Sequence, residues 1–489
     1  MACTSTSTVR QHRDTSVLQQ NNVPQGVQDY LAHADELPQP ERATYQLQVV
    51  QWLVGNQDLT SAKQVFAEID PTSLSGNDAL QYSILQKQLA ATSINVENAG
   101  AAIPTTSQTA QYHVALLLPV TGSMAESGKA IRDGFLLALQ QNEGQANINL
   151  QVYDTGDENQ VVSLYEQAEQ SGAHLIIGPL SKPGVSQLAD YLLKQNTWSH
   201  QPSVPVLALN QVDGDTPAYF YQFSLSPEDE VRQDVTRAAQ AGLRQALILS
   251  AASSWGDRIT QAFIQDWQAK GGSIVDTIRF ADKPNLDADI QAALQLNKAQ
   301  LARRVQNNTV PPSSIRRHDM DMIFLVTSAA QARQIKPLLN YYYAGDVPTY
   351  TLASVYRGTP NPANDMDVNG VVFCDAPWVI HPDEQMRTLQ LNIETSYPAT
   401  AQTYTRLYAL GVDVYGLMRH VNDWQQYAGF AYDGATGRLS LNNNRQWQRQ
   451  LPCAQFIDGQ VKMLPCERKN NRWVIWQKRP HCLICKIKA

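Results

Sequence analysis

Residues 113–139 constrain the fold more than any other part of the chain. His113-Val-Ala-Leu-Leu-Leu-Pro-Val-Thr-Gly-Ser-Met-Ala-Glu-Ser-Gly128-Lys-Ala-Ile-Arg-Asp-Gly134-Phe reads as a strand, a glycine-bearing loop and the start of a helix. An unbroken apolar run such as Val114 to Leu118 is the pattern of a strand covered on both faces. A helical period follows through Ala130, Ile131, Phe135, Leu136, Ala138 and Leu139. This order is the opening βα unit of an α/β domain, with its loop at the carboxyl end of the strand. The loop imitates a phosphate-binding P-loop without being one. Five residues instead of four separate Gly122 from Gly128, and Ala130 after Lys129 lacks the hydroxyl that would hold magnesium.

Strands and helices continue to alternate from residue 112 onward. Strand-like runs fall at 113–120, 148–153, 174–178, 204–209, 246–250, 273–278, 322–327, 348–353 and 370–374. Helical periods fill 126–141, 158–171, 183–195, 227–241, 256–270, 287–305, 329–344 and 401–421. Crossovers of this length suit parallel neighbours. Unpatterned segments near 223–227, 372–378 and 425–432 mark passages of the chain between two α/β lobes, so the domain is expected to span 112–466. Ahead of it lie a polar leader at 1–24, a helical region at 25–91 and a linker at 92–111. Within the helical region, Ala62-x-x-x-Phe66 before Pro71 is a fragment of the tetratricopeptide pattern. A tail at 467–489 carries seven Lys or Arg against one acid, with Trp473 and Trp476.

With 489 residues the chain has room for several domains, and its net charge of −7 argues against a general nucleic-acid binder. No apolar run reaches the length of about 18 residues expected of a membrane span. Catalytic patterns are missing: there is no G-x-S-x-G elbow and no H-E-x-x-H helix. Asp319 and Asp321 would point to opposite faces of an extended segment. Glu228, Asp229 and Glu230 follow Ser226-Pro227 and read as the first turn of a capped helix. No catalytic residue, metal site or cofactor is expected. Of the six cysteines, Cys482 and Cys485 form a single C-x-x-C, too little for zinc. Cys453 and Cys466 flank a hairpin about Asp458-Gly459 and are the disulfide candidates, although a two-residue turn sets Cys453 opposite Leu464, so the bridge needs a bulge or an early strand end.

In an open α/β sheet, ligand-facing groups sit in loops after the carboxyl ends of strands. Those loops supply Thr121, Ser123, Gly178, Ser181, Asn210 and Trp255, with Tyr356 and Asp375 from later strands. Hydroxyls and backbone N–H groups of this kind suit a small polar ligand such as an amino acid.

A dense set of segments resembles the LppC/LpoA family of penicillin-binding protein activators. It includes Val114-Ala-Leu-Leu-Leu-Pro-Val-Thr-Gly-Ser, Ile131-Arg-Asp-Gly-Phe, Tyr153-Asp-Thr-Gly and Leu175-Ile-Ile-Gly-Pro-Leu-Ser-Lys. Val204-Pro-Val-Leu-Ala-Leu-Asn210, Phe223-Ser-Leu-Ser-Pro-Glu-Asp-Glu, Trp255-Gly-Asp-Arg, Asp375-Ala-Pro-Trp378 and Gly434-Ala-Thr-Gly-Arg-Leu-Ser extend it. The resemblance implies a two-lobed domain with the type I periplasmic-binding-protein fold, preceded by a short all-α segment similar to tetratricopeptide repeats. It also implies a regulator of peptidoglycan synthesis, not an enzyme, whose partner is a class A penicillin-binding protein. Ala2-Cys3 before Thr4-Ser-Thr-Ser-Thr is similar to the end of a bacterial lipobox, which implies lipidation at Cys3 and attachment to the periplasmic face of the outer membrane. The family's helical domain is commonly longer than the region before residue 92 here. The rival expectation is a periplasmic receptor that takes an amino acid or another small polar ligand into the cleft.

Overall fold

The computed structural model describes residues 112–465 apart from 142–147, 197–203, 282–284, 308–313 and 428. Before them it describes 59–71 and scattered positions between 42 and 89; after them it gives the backbone of 474–479 and 482–487. Cys3, the leader at 1–24, the linker at 92–111 and Cys466 lie outside the described residues.

The chain divides into two compact units, 1–107 and 108–489. In the first, helix α1 (Leu59–Ala67) contributes to a buried cluster with Ala43, Leu47, Val50, Leu53, Ala62, Leu85 and Leu89. Phe66 stacks on Tyr82 with ring centroids 4.6 Å apart.

The second unit holds the α/β domain. Its first lobe runs β1 (Tyr112–Leu118), α2 (Ala125–Gln141), β2 (Ile148–Asp154), α3 (Val161–Gln170), β3 (Leu175–Ile177), α4 (Lys182–Asn196), β4 (Val206–Ala208) and β5 (Phe220–Gln222). These five strands form one parallel sheet in the order β2-β1-β3-β4-β5. Val114 to Leu118 are all at most 2% exposed, as a strand inside the sheet with cover on both faces requires.

The second lobe runs α5 (Pro227–Gln240), β6 (Gln245–Ala251), α6 (Ser254–Ala269), β7 (Ser273–Phe280), α7 (Leu286–Ala293), α8 (Lys298–Asn307), β8 (Met322–Val326), α9 (Ala329–Tyr341), β9 (Thr349–Thr351) and β10 (Val371–Cys374). Its parallel strands repeat the first lobe's winding, in the order β7-β6-β8-β9-β10. Caps set the helix starts. Ser226 accepts from the Glu228 N–H ahead of Pro227, Ser253 from Gly256, and Ser328 makes a reciprocal capping box with Gln331.

The chain then returns through α10 (Glu384–Ser396), α11 (Thr405–Arg419) and α12 (Val421–Gln426), with α11 packed along α2. An antiparallel sheet of β11 (Ala431–Asp433), β12 (Arg438–Leu441) and β13 (Trp447–Gln450) follows. Finally the hairpin β14 (Cys453–Ile457) and β15 (Gln460–Met463) joins the second lobe's sheet antiparallel to β10. Asp458 and Gly459 both take positive φ, 54° and 70°, as a tight two-residue hairpin turn demands. The topology is a two-lobed type I periplasmic-binding-protein fold.

Besides α10 and the β11–β13 sheet, which are not expected, four features differ from the sequence expectations. β5 forms where no strand pattern is legible, because three residues suffice to close an edge. The helix expected over 287–305 is two, α7 and α8, broken where Gln295 turns to φ 49°. The third passage between lobes lies at Leu451–Pro452 instead of 425–432. Leu439 and Trp447 belong to the first lobe's core, which keeps β12 and β13 there until Pro452. The disulfide is the fourth: Cys453 bonds Cys374, not Cys466. The hairpin register sets Cys453 beside Leu464, whose N–H reaches the Cys453 carbonyl at 2.9 Å, whereas the β10–β14 ladder places Cys374 directly opposite Cys453. In the tail, β16 (Val474–Arg479) pairs antiparallel with β17 (Cys482–Ile487).

Candidate functional site

The carboxyl ends of β1, β3 and β4 lie side by side at one end of the first lobe's sheet, and they carry the expected cleft loops. Thr121 donates its hydroxyl to Asp154 Oδ2 at 2.7 Å. Asp154 Oδ1 accepts from the backbone N–H of Val120 and Gly156, each at 2.9 Å. Burial works against the Asp154 anion, but these hydrogen bonds outweigh it and hold the carboxyl below its ordinary range. Asn210 is used at both ends of its amide. It donates to the Leu180 carbonyl at 3.0 Å and accepts from Gln211 at 2.9 Å. Ser181 accepts from Gly184 at 3.1 Å at the start of α4. Gly178 is buried and Ser123 exposed. The structure therefore brings Thr121, Ser123, Gly178, Ser181 and Asn210 to one sheet end, where most are engaged in holding the loops.

In the second lobe Tyr356 and Asp375 meet at Arg406, whereas Trp255 packs in a different cluster. Trp255 sits half-buried in the first turn of α6, packed on the cluster around Phe263 and Phe324. Tyr356 is 5% exposed and lies against Phe373 and Phe456. Burial, aided by the Asp365 and Asp375 carboxylates, pushes its phenol up to about 12. Asp375 is 2% exposed and forms a two-pronged pair with Arg406 of α11, at 3.0 and 2.5 Å. Arg406 also donates to the carbonyls of Ala353 and Tyr356 at 3.1 and 2.9 Å. Tyr356 and Asp375 are thus parts of the frame, and the Asp375 carboxylate is already taken by Arg406.

A buried arginine, Arg449, ties the first passage between lobes to the last. Arg449 of β13 reaches Asp229 at 3.3 Å and the Ser226 carbonyl at 2.9 Å. Asp413 of α11, fully buried, accepts from the Ala435 N–H at 2.5 Å, the Thr436 N–H at 2.7 Å and the Thr436 hydroxyl at 2.5 Å. Glu230 accepts from the Ala353 N–H at 2.9 Å. Neither Arg406 nor Arg449 stands out in the sequence as a site residue. For Arg449 a signal exists: in an extended segment it shares a face with Trp447 two residues earlier, and the structure buries both.

Burial is the largest influence on Glu230 and pushes its carboxyl from the ordinary 4.5 up to about 7, with Arg449 opposing and Asp375 reinforcing the rise. Between those two values the folded chain keeps a proton that the unfolded chain has lost. Stability therefore falls as pH rises through that window and levels off above it. The Glu230→Gln variant retains the acceptor for Ala353 and removes the charge. It is expected to gain about 1–2 kcal/mol over the parent near pH 8 and nothing near pH 4, read from urea denaturation across pH. Equal pH slopes for the two proteins would contradict it.

Among the described residues no three His, Cys, Asp or Glu side chains gather as a metal site, and no helix is long and apolar enough to cross a membrane. The close histidine contacts are His420 Nδ1 with Asp423 at 2.8 Å and the His113 N–H on His174 Nδ1 at 3.1 Å, neither beside a nucleophile. What this arrangement does chemically is lock two lobes through buried ion pairs.

Comparison with known proteins agrees with this architecture. Penicillin-binding protein activator LpoA of Photobacterium profundum is 29% identical over 358 residues, covering 71% of this chain and 56% of the relative. The activator of the same name from Vibrio antiquarius is 30% identical over 352 residues, covering 70% and 57%. The chain thus spans little more than half the length of these relatives. Among solved structures, the LpoA (YraM) C-domain from Haemophilus influenzae, described as a regulator of PBP1A, superposes with a TM-score of 0.55 at 26% identity. That match covers 72% of this chain and 99% of the C-domain. The family model described as "LppC putative lipoprotein" matches residues 101–459. Since that match takes in both lobes, their passages and the cleft loops, the chain belongs to the LppC family.

Proposed function

We propose that this protein regulates peptidoglycan synthesis by binding and activating a class A penicillin-binding protein, and that it performs no chemistry itself. The observation that carries the reading is the likeness to the Haemophilus influenzae C-domain, a regulator of PBP1A, over 99% of that domain at 26% identity. The internal use of Thr121, Ser181, Asn210 and Asp375 supports it against the receptor reading, because a ligand would have to displace bonds that hold the loops. The docking surface belongs to the domain at 112–466, divided into two lobes, which follows the helical region at 25–91 in the sequence. Cys3 is the lipidation site, and it holds the protein on the periplasmic face of the outer membrane by more than one acyl chain.

The test uses a purified class A synthase with the full chain and with a fragment beginning at Gln108, the start of the second compact unit. Both are expected to bind and to raise glycan-chain or cross-link formation. Binding only by chains that contain 25–91 would move the surface to the helical region. No binding by either, together with a small ligand held at micromolar affinity in the cleft, would establish a receptor. Behind a full signal peptide, Cys3→Ser is expected to shift the protein from the membrane to the soluble periplasmic fraction, and unchanged fractionation would oppose the anchor.

A further inference from the structure

The disulfide in the second lobe has a carboxyl group against it that the functions above leave unused. Asp234 of α5 is 0% exposed. Its Oδ1 lies 3.2 Å from Cys374 Sγ, and its Oδ2 has no hydrogen-bond partner. A disulfide sulphur has no proton to give and accepts only weakly. Against an ionised Asp234 the contact would join two electron-rich atoms, whereas the acid form donates O–H to sulphur.

Of the charges around Asp234, Arg237 favours its anion, but burial and Glu230 outweigh it. Glu230, one turn earlier on α5, repels it. Arg237, one turn later, extends to the Pro465 carbonyl at 3.3 Å. Arg449 of β13 is taken by Asp229 and Arg258 of α6 by Glu228, while β10 and β14 present only the two disulfide cysteines. Burial, with Glu230 adding to it, accordingly drives the Asp234 carboxyl well above the ordinary range. An unsatisfied, fully buried carboxyl is costly and uncommon, and here it sits on the one bond whose chemistry needs a proton.

We infer that Cys374–Cys453 is a reducible site and that Asp234 serves as the internal acid and base of its thiol–disulfide exchange. Cys453, 9% exposed against 0% for Cys374, is the less buried of the two, and the attack is assigned to its sulphur. The thiolate of an external dithiol bonds Cys453 Sγ, the S–S bond breaks, and its electron pair moves to Cys374 Sγ, which takes the Asp234 proton. The second thiolate of the dithiol then attacks the mixed disulfide. Cys453 leaves, gains a proton from water, and the dithiol departs as a cyclic disulfide, so two electrons have passed to the protein. The Cys374 thiol now donates to an ionised Asp234, and oxidation runs the same steps backwards with Asp234 as the base. Reduction leaves a buried anion beneath the seam and releases the covalent tie between β10 and β14, so the hold of the β14–β15 hairpin on the lobe follows the redox state.

The experiment uses the folded full chain, reduced with dithiothreitol and reoxidised with glutathione disulfide, with alkylation mapped to the peptides of Cys374 and Cys453. In Asp234→Asn both rates are expected to drop about tenfold or more near neutral pH, and the oxidation rate to climb back to that of the parent at high pH, where Cys374 ionises unaided. A purely structural Asp234 would not move the pH profile. Should the variant fail to fold, infrared spectra of the unaltered protein decide: a protonated-carboxyl band present in the oxidised form near pH 8 must weaken on reduction. The inference is overturned by rates equal to the parent at every pH, by an unchanged band, or by a bridge that reduces only after denaturation.

Discussion

Replacing Arg449 by methionine is expected to cost about 3 kcal/mol of unfolding free energy, the lower end of what breaking a buried ion pair costs. Arg449 and Asp229 are 3% and 4% exposed, so the truncation strands a carboxylate away from water. It also removes the donor to the Ser226 carbonyl, at the point where the chain first passes between lobes. Asp229 keeps Arg232 at 2.7 Å, which limits the loss. Pairing the change with Asp229→Asn is expected to recover more than half of the deficit, since no charge is then left behind. Urea denaturation of the two single variants and the double variant measures this directly. Strict additivity would show that Arg449 acts through packing alone.

A comparable loss is expected from valine at Gly411. A Cβ there would stand 2.1 Å from the Ile131 carbonyl, and one at Gly134 would stand 2.2 Å from the Tyr408 carbonyl. The two glycines are reciprocal notches that let α2 and α11 cross backbone to backbone. Backbone cannot rotate out of the way as a side chain can, so the helices must part and the cluster of Phe135, Leu410, Val414 and Tyr415 must open with them. About 3 kcal/mol or more is the expected penalty, read as a fall in Tm and as new proteolytic cuts in α11. Gly429→Ala, where nothing lies within 4 Å, is the matched control and should stay within about 0.5 kcal/mol of the parent.

These two cases also show where sequence reading succeeds and where it stops. The parallel strands are legible because burial on both faces writes an apolar run, as in Leu175–Ile177 and Met322–Val326. Caps at Ser226 and Asp383 obey local rules, but α10, which Asp383 starts, carries only Leu389 and Ile393 as its buried stripe and so leaves a faint period. Gly134 and Gly411 are 277 positions apart, and no local pattern tells a glycine that admits a helix from one that ends it. The loops after β1, β3 and β4 can be located from the strands they follow, but what their side chains bond to cannot. That Asp375 turns inward depends on Arg406, an arginine from a helix distant in sequence. The disulfide eludes the sequence for a related reason. Hairpin geometry is local and bears on Cys466, whereas Cys374 becomes the neighbour of Cys453 only through pairing across 79 residues.

The route of α11 through the first lobe governs how the protein can be made. The five strands of that lobe have all been synthesised by Gln222, yet the core beneath them also takes Leu410, Val414, Leu417, Trp424, Leu439 and Trp447. The second lobe waits in turn for the hairpin that ends at Met463. Neither lobe can finish on a ribosome while the residues from Leu410 to Met463 are still to come. A chain of this topology keeps both lobes incomplete until Met463 has emerged, so the two halves depend on the same late segment.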